Sequence, residues 1–270
     1  MLLSGLVTKL KPTLADPIQY EWLWDHTAHL VNDWLGKRLT LKFLGKIQCV
    51  YCGRTTRKSF SQGYCFPCFR QLARCDFCVL KPELCHFHVG TCREPAWGAT
   101  YCMTGHTVYL SNTSGLKVGI TRDTQTPTRW IDQGAIQAIP FLKVETRRHS
   151  GFLEDALRVW VKDKTSWKKM LSSTVTPLNM GEERAQLYDK SKSVLDQTGW
   201  SYQFLSEQSE ITLNYPVLSF PETIRSLSLE KTPLIEATLT GIKGQYLIFD
   251  TGVLNVRALT GYLVSLTVGA

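Results

Sequence analysis

No run of about 18 to 20 uncharged apolar residues occurs in the chain, which excludes a membrane-spanning helix and any partner role for a membrane through one. The opening MLLSGLVTKLKPTLAD has no basic segment ahead of a long apolar stretch and no convincing cleavage site, so a secretory signal is not expected. The reading is a cytoplasmic protein. Internal repeats and low-complexity tracts are absent, and 43% hydrophobic residues exclude a disordered chain. Acidic residues are the scarcer sign: 23 acids against 31 bases leave a net charge of +8, spread along the sequence rather than gathered in a tail. That balance favours an anionic partner, of which nucleic acid, DNA or RNA, is the commonest.

What the chain has in plenty is crowded cysteine. All nine cysteines lie between residues 46 and 106, and an odd number in a reducing compartment points to metal rather than disulfides. Cys49, Cys52, Cys65 and Cys68 form C-x2-C-x12-C-x2-C, the spacing in which two turns each offer two thiolates to one tetrahedral zinc. A second group, Cys75, Cys78, Cys85 and Cys92, begins with another C-x2-C knuckle and predicts a second zinc, with Cys102 and His86 as alternate ligands and His88 and His106 nearby. No H-x-E motif precedes a P-C-x-x-C pair, so both sites read as structural rather than catalytic. The bases Arg54, Arg57, Lys58, Arg70 and Arg74, with the rings of Tyr51, Phe60, Tyr64, Phe66 and Phe69, supply groups that phosphates and bases use; the plain alternative is solvated charge around a zinc-nucleated core.

The chain divides into an N-terminal segment of strands and aromatics (1–45), a zinc-binding module (46–106), an αβ core (107–175), a helical connector (176–210) and a C-terminal β segment (211–270). In the core, VYLSNTSGLKVGITR has two short apolar runs around an Asn/Ser/Gly turn and predicts a hairpin. A short helix over 127–133, a strand over 135–145 and a helix capped by Ser150 follow, the last with Glu154 and Arg158 as an i,i+4 pair. Trp130, Trp160 and Trp167 sit at helical spacing from other apolar residues and are expected in the core. The last segment alternates between Thr-Gly and Asp-Thr-Gly turns, which predicts a small antiparallel barrel, with the N-terminal strands as candidate partners. Lys243, Gln245, Tyr246 and Arg257 would give such a barrel a polar face, although a packing module is the preferred reading. The fold class expected is α+β.

Thr107-Val108-Tyr109, Lys117-Val118-Gly119, Arg129 and Glu154, in the order strand, strand, helix, helix, resemble the GIY-YIG nuclease domain over roughly residues 107 to 171. The resemblance implies a β-β-α-β-α core and metal-dependent phosphodiester cleavage. Glu154 would hold Mg2+ or Mn2+, Arg129 would contact the scissile phosphate, and the Tyr109 hydroxyl would sit near the attacking water, with Arg122 or His149 assisting. Two positions depart from the pattern. Lys117 stands where the family has its second tyrosine, and Thr107 where it has a glycine. Lysine binds phosphate but does not replace a phenol. Each residue also has a plain reading: Tyr109 as core, Lys117 as an edge-strand charge, Arg129 and Glu154 as solvent-facing. Longer stretches, GTCREPAWG and GIKGQYLIFDTGVLNVRALTGY among them, are similar to a family of uncharacterised bacterial proteins named only as a domain of unknown function. The functional expectation is a nucleic-acid-binding zinc protein with nuclease potential. The alternatives are a binder of DNA or structured RNA, ribosomal RNA included, without turnover, and a zinc-organised adaptor for protein partners.

Overall fold

A computed structural model describes residues 1–161, 166–172 and 174–269; the remaining positions of the expected 107–175 and 211–270 segments lie outside the described residues. In chain order the elements begin β1 (Leu2–Leu6), β2 (Lys11–Thr13), β3 (Gln19–Trp24), β4 (Thr27–Leu30), β5 (Arg38–Gln48) and β6 (Thr55–Thr56). The cysteine region adds α1 (Phe66–Gln71) and α2 (Pro95–Tyr101). Then come β7 (His106–Asn112), β8 (Leu116–Arg122), α3 (Thr128–Asp132), β9 (Gln137–Val144), α4 (Arg147–Leu157), α5 (Trp167–Met170) and α6 (Met180–Gln197). The chain ends with β10 (Gln203–Phe204), β11 (Ile211–Thr212), β12 (Ser226–Leu227), β13 (Leu234–Lys243), β14 (Tyr246–Phe249), β15 (Gly252–Asn255) and β16 (Tyr262–Val268).

The α+β class holds. The expected pairing of N-terminal with C-terminal strands is also present, because β5 lies between β16 and β13, and β1 lies outside β16. Leu41 faces Ile235 on one side and Leu266 on the other, so the inward residues of β5 are covered from both neighbours. The expected closed barrel is not found. The sheet order runs β1-β16-β5-β13-β14-β15-β12, its two ends are not paired with one another among the described residues, and β12 joins in parallel. The polar face expected of that barrel turns inward: Lys243 and Gln245 are buried, and the Gln245 amide bonds the Leu10 backbone and Asp132. Strand β5 also runs through residue 46, so the cysteine-rich module hangs directly from the sheet.

A second sheet runs β10-β9-β7-β8, with β11 also on β9. The element order β7, β8, α3, β9, α4 is the β-β-α-β-α order expected. Every residue of β7 is buried, because both faces of this strand are covered. Val108 and Leu110 pack with Leu153 and Leu157 of α4 and Leu187 of α6. Tyr109 faces the other way, into a core that also holds Trp22, Trp24 and Trp130. Trp160 departs from the core expectation and is 36% exposed. Helix α4 begins earlier than its spacing suggests: Thr146 caps it by accepting from the His149 N–H, and Ser150 lies inside it, bonded to the Arg147 carbonyl. The Ser150 signal fails because a hydroxyl serves an interior turn as well as a cap.

His106, at the start of β7, donates from Nδ1 to the Thr104 carbonyl at 2.6 Å, while its Nε2 is buried without a partner. Burial holds its pKa down at about 4 against 6.5 in the unfolded chain. Between those values the unfolded chain binds a proton that the folded one refuses, so stability rises with pH across the window and falls on acidification. At pH 5 this residue alone costs about 2 kcal/mol relative to neutral pH. Denaturation midpoints at pH 7 and pH 5 should show that extra loss in the wild type and not in His106→Gln. An equal loss in both proteins would count against it.

Candidate functional site

The first cysteine cluster is assembled by the end of β5 and the start of α1. Cys49 follows the last residue of β5, and its carbonyl accepts from the Gly53 N–H at 2.9 Å, tightening the turn that swings Cys52 round. The Phe60 and Tyr64 backbones bond reciprocally and bring the chain back. Cys65 then precedes α1, whose early Pro67 fixes the first turn and sets Cys68 one turn above it. The four thiol sulfurs all lie within 4.8 Å of one another, and those of Cys52 and Cys65 are 3.8 Å apart. A tetrahedral zinc with Zn–S bonds of about 2.3 Å places its sulfurs about 3.8 Å apart, so the donors suit that ion in number, kind and spacing. Burial pushes the Cys49 thiol up, but the N–H groups of Cys52, Cys65 and Tyr51 outweigh it and bring the pKa down to about 6. One ligand is therefore disposed to be a thiolate, the form that binds metal.

Cys75 lies with this first cluster rather than with the second, packed in one small core with Cys49, Cys65, Cys68 and Leu72. The second group closes instead around Cys78. Its sulfur, a carboxylate oxygen of Asp76 and a ring nitrogen of His86 lie within 4.8 Å of one another, and its thiol bonds that of Cys85. That bond, helped by the Phe87 N–H and against the upward push of burial, brings the Cys85 thiol down to about 6. Cys92 and Cys102 line the same small cavity of about 10 Å3. Asp76, which spacing arguments passed over, is in the middle of this group. It accepts from the Cys78 N–H at 3.0 Å and pairs with Arg93 at 2.6 Å. The run CDFC carried that signal, a carboxylate inside a knuckle. His88 is exposed, and His106 is taken up by its own backbone bond.

The hairpin residues converge. Tyr109 lies opposite Gly119 and Ser111 opposite Lys117, so Tyr109 and Lys117 share one face of the sheet. The glycine is required: a Cβ at position 119 would stand 2.7 Å from the Tyr109 ring and hydroxyl. The Tyr109 hydroxyl donates to Gln133 Oε1 at 2.6 Å and lies beside Arg129. Burial, with a further push from Glu154 and against Arg129, raises its pKa to about 12. Lys117 is 7% exposed although β8 is an edge strand, so it is not a surface gatekeeper. Arg129 and Glu154 are half-buried. Arg122 lies 4.6 Å from the Tyr101 ring, and His149 stacks on Trp200, so neither turns toward this group.

Arg147, unmarked in the sequence, joins the two regions. Its Nη2 donates to the Val79 carbonyl at 2.6 Å and its N–H to the Cys102 carbonyl at 2.8 Å, while its charge acts on Cys78, Arg129 and Glu154. The carboxyl of Glu154 is raised by burial and drawn back by Arg158, Arg147 and Arg129. Arg257, from the far sheet, adds its charge beside Arg129. A hard dication wants several oxygen ligands. Here Glu154 lies among the guanidinium groups of Arg158, Arg147 and Arg129, with the Glu83 carboxylate also acting on it, and planar guanidinium forks match phosphate oxygens.

No helix among the described residues is long and apolar enough to cross a membrane. Neither a curated protein nor a solved structure matches the chain. A family model does match, over residues 36–264, a span that takes in both cysteine clusters, the hairpin and β5 to β15. The chain therefore belongs to the family described as "Protein of unknown function (DUF2797)".

Proposed function

We propose that the protein binds nucleic acid, with phosphates held at the Arg129–Arg147 group and bases stacked on the rings of the cysteine-rich module. One observation carries this reading: exposed rings on that module are each paired with a cation. Tyr51 is 55% exposed with Arg74 at 5.6 Å, Phe66 51% with Arg70 at 5.9 Å, and Phe77 57% with Lys81 at 5.7 Å. Large rings left in water cost hydration free energy, and exposed rings beside cations are what stacking on unpaired bases uses. The net charge of +8 acts in the same direction. The zinc ions are structural in this reading: at the first site Cys49, Cys52, Cys65 and Cys68 would hold one, fixing the loops that carry the rings.

Fluorescence anisotropy with labelled single-stranded and structured RNA and DNA, across a salt series, tests it. Log affinity should fall linearly with log salt, and Arg129→Ala should weaken binding while lowering the slope by about one. Tyr51→Ala with Phe66→Ala should cost about 1–3 kcal/mol per lost stack. Absence of salt-sensitive binding to any of these would sink the reading and favour an adaptor for protein partners. Mg2+-dependent cleavage by the wild type, lost in Glu154→Ala, would overturn binding without turnover and restore the endonuclease.

A further inference from the structure

Lys243 ends β13 and is 3% exposed. It lines a cleft of about 460 Å3 together with Tyr215, Phe220, Val217, Thr212 and Asn214. The ammonium lies 5.3 Å from the centroid of the Tyr215 ring and 5.6 Å from that of Phe220. Among the described residues it has no carboxylate or hydrogen-bond partner, whereas Lys9 on the same side of the core pairs with Asp132 at 2.9 Å. A buried ammonium without a counter-charge is costly, and two ring faces offset only part of that cost. Burial accordingly brings its pKa from 10.5 down to about 8. Nothing in the β13–β14 hairpin needs a charge at this place, since Ile242 and Leu247 beside it are apolar and buried.

We propose that this cleft is a binding site for a small organic anion, a carboxylate or phosphomonoester with a flat apolar body. Lys243 takes the anionic group, and Tyr215, Phe220 and Val217 take the body. The volume falls within the range of about 300–1,000 Å3 in which proteins hold such ligands. The two rings orient a flat body, and the single cation fixes which end enters. Its residues are separate from those of the Arg129 group, so the site stands independently of the nucleic-acid reading.

The test titrates the full chain with phenyl phosphate, benzoate and uncharged benzyl alcohol, followed by amide NMR shifts, in wild type, Lys243→Met and Lys243→Arg. One or both anions should bind the wild type saturably, shifting Thr212–Val217, and benzyl alcohol should bind far more weakly. Lys243→Met should weaken the anions at least about tenfold, and Lys243→Arg should retain most of the binding. Removing an unpaired buried charge should leave the thermal midpoint of Lys243→Met equal or higher. If that variant fails to fold, the anion preference in wild type and its retention in Lys243→Arg still decide the matter. Equal binding of benzyl alcohol, unchanged anion binding in Lys243→Met, or no saturable binding of either anion would overturn the proposal.

Discussion

Cys65→Ser should lose about one equivalent of zinc per chain and unfold residues 49–75 while leaving the sheet of β7–β9 protected. The reason is the composition of the small core there: its buried members are Cys49, Cys65, Cys68, Leu72 and Cys75, with only Tyr64 and Phe69 packed against them. That apolar area is too small to fix the backbone of the segment, and a structural zinc contributes on the order of 10–16 kcal/mol of binding free energy to such a module. Without the ion, Cys49, Cys65 and Cys68 would be buried beside the exposed Cys52 with nothing to neutralise the thiolate that Cys49 favours. The rest of the molecule holds the segment only through a few bonds, such as the Ala73 N–H to Glu94 at 2.7 Å and Arg93 to the Phe69 carbonyl at 3.3 Å. Metal analysis with hydrogen exchange checks the expectation. A variant without metal that kept full protection in 49–75 would show that the thiols are only packed together.

Gly151→Val is expected to be the most damaging single substitution outside that cluster. In an exposed helix, replacing glycine with a better helix former helps by a few tenths of a kcal/mol to about 1 kcal/mol. Here a Cβ at 151 would stand 2.5 Å from the Glu83 backbone nitrogen and 2.6 Å from Pro82 Cβ, atoms that cannot give way as a flexible side chain would. The short turn Pro82–Leu84 must therefore lift off α4, and the bond from Arg147 to Val79 must stretch or break. A loss of about 3 kcal/mol or more follows from overpacking with a broken buried bond. Because Arg147 also acts on Arg129 and Glu154, the proposed nucleic-acid binding should weaken together with stability. Thermal unfolding and anisotropy on the same variant measure both. A variant with wild-type stability would mean that α4 and the turn approach less closely than described.

The readable parts of the sequence were those in which local spacing is itself the constraint. C-x2-C-x12-C-x2-C places four sulfurs within 4.8 Å because two tight turns leave little choice. The apolar runs around Ser111–Gly115 became β7 and β8, since alternation and turn chemistry agree there. What stayed hidden depends on partners distant in sequence. Cys75 reads as half of a knuckle with Cys78, yet it falls in with Cys49 because Leu72 and Tyr64 draw it to that side. The closed barrel was inferred from alternation, which fixes which face of a strand is buried and not whether its edges meet. Arg147 and Arg257 carry no motif, and only the docking of the module and of the far sheet brings their charge beside Arg129. Lys243 reads as a surface base from its neighbours Gly244 and Gln245, and it is the packing of Tyr215 and Phe220 that encloses it.

The position of β5 between β16 and β13 has a consequence for biosynthesis. Strand β5 is made long before either of its long neighbours, β13 and β16. Its inward Leu39 and Leu41 must wait, exposed, until β13 and β16 have been made. Chains that stall before β13 should therefore be targets for holding chaperones.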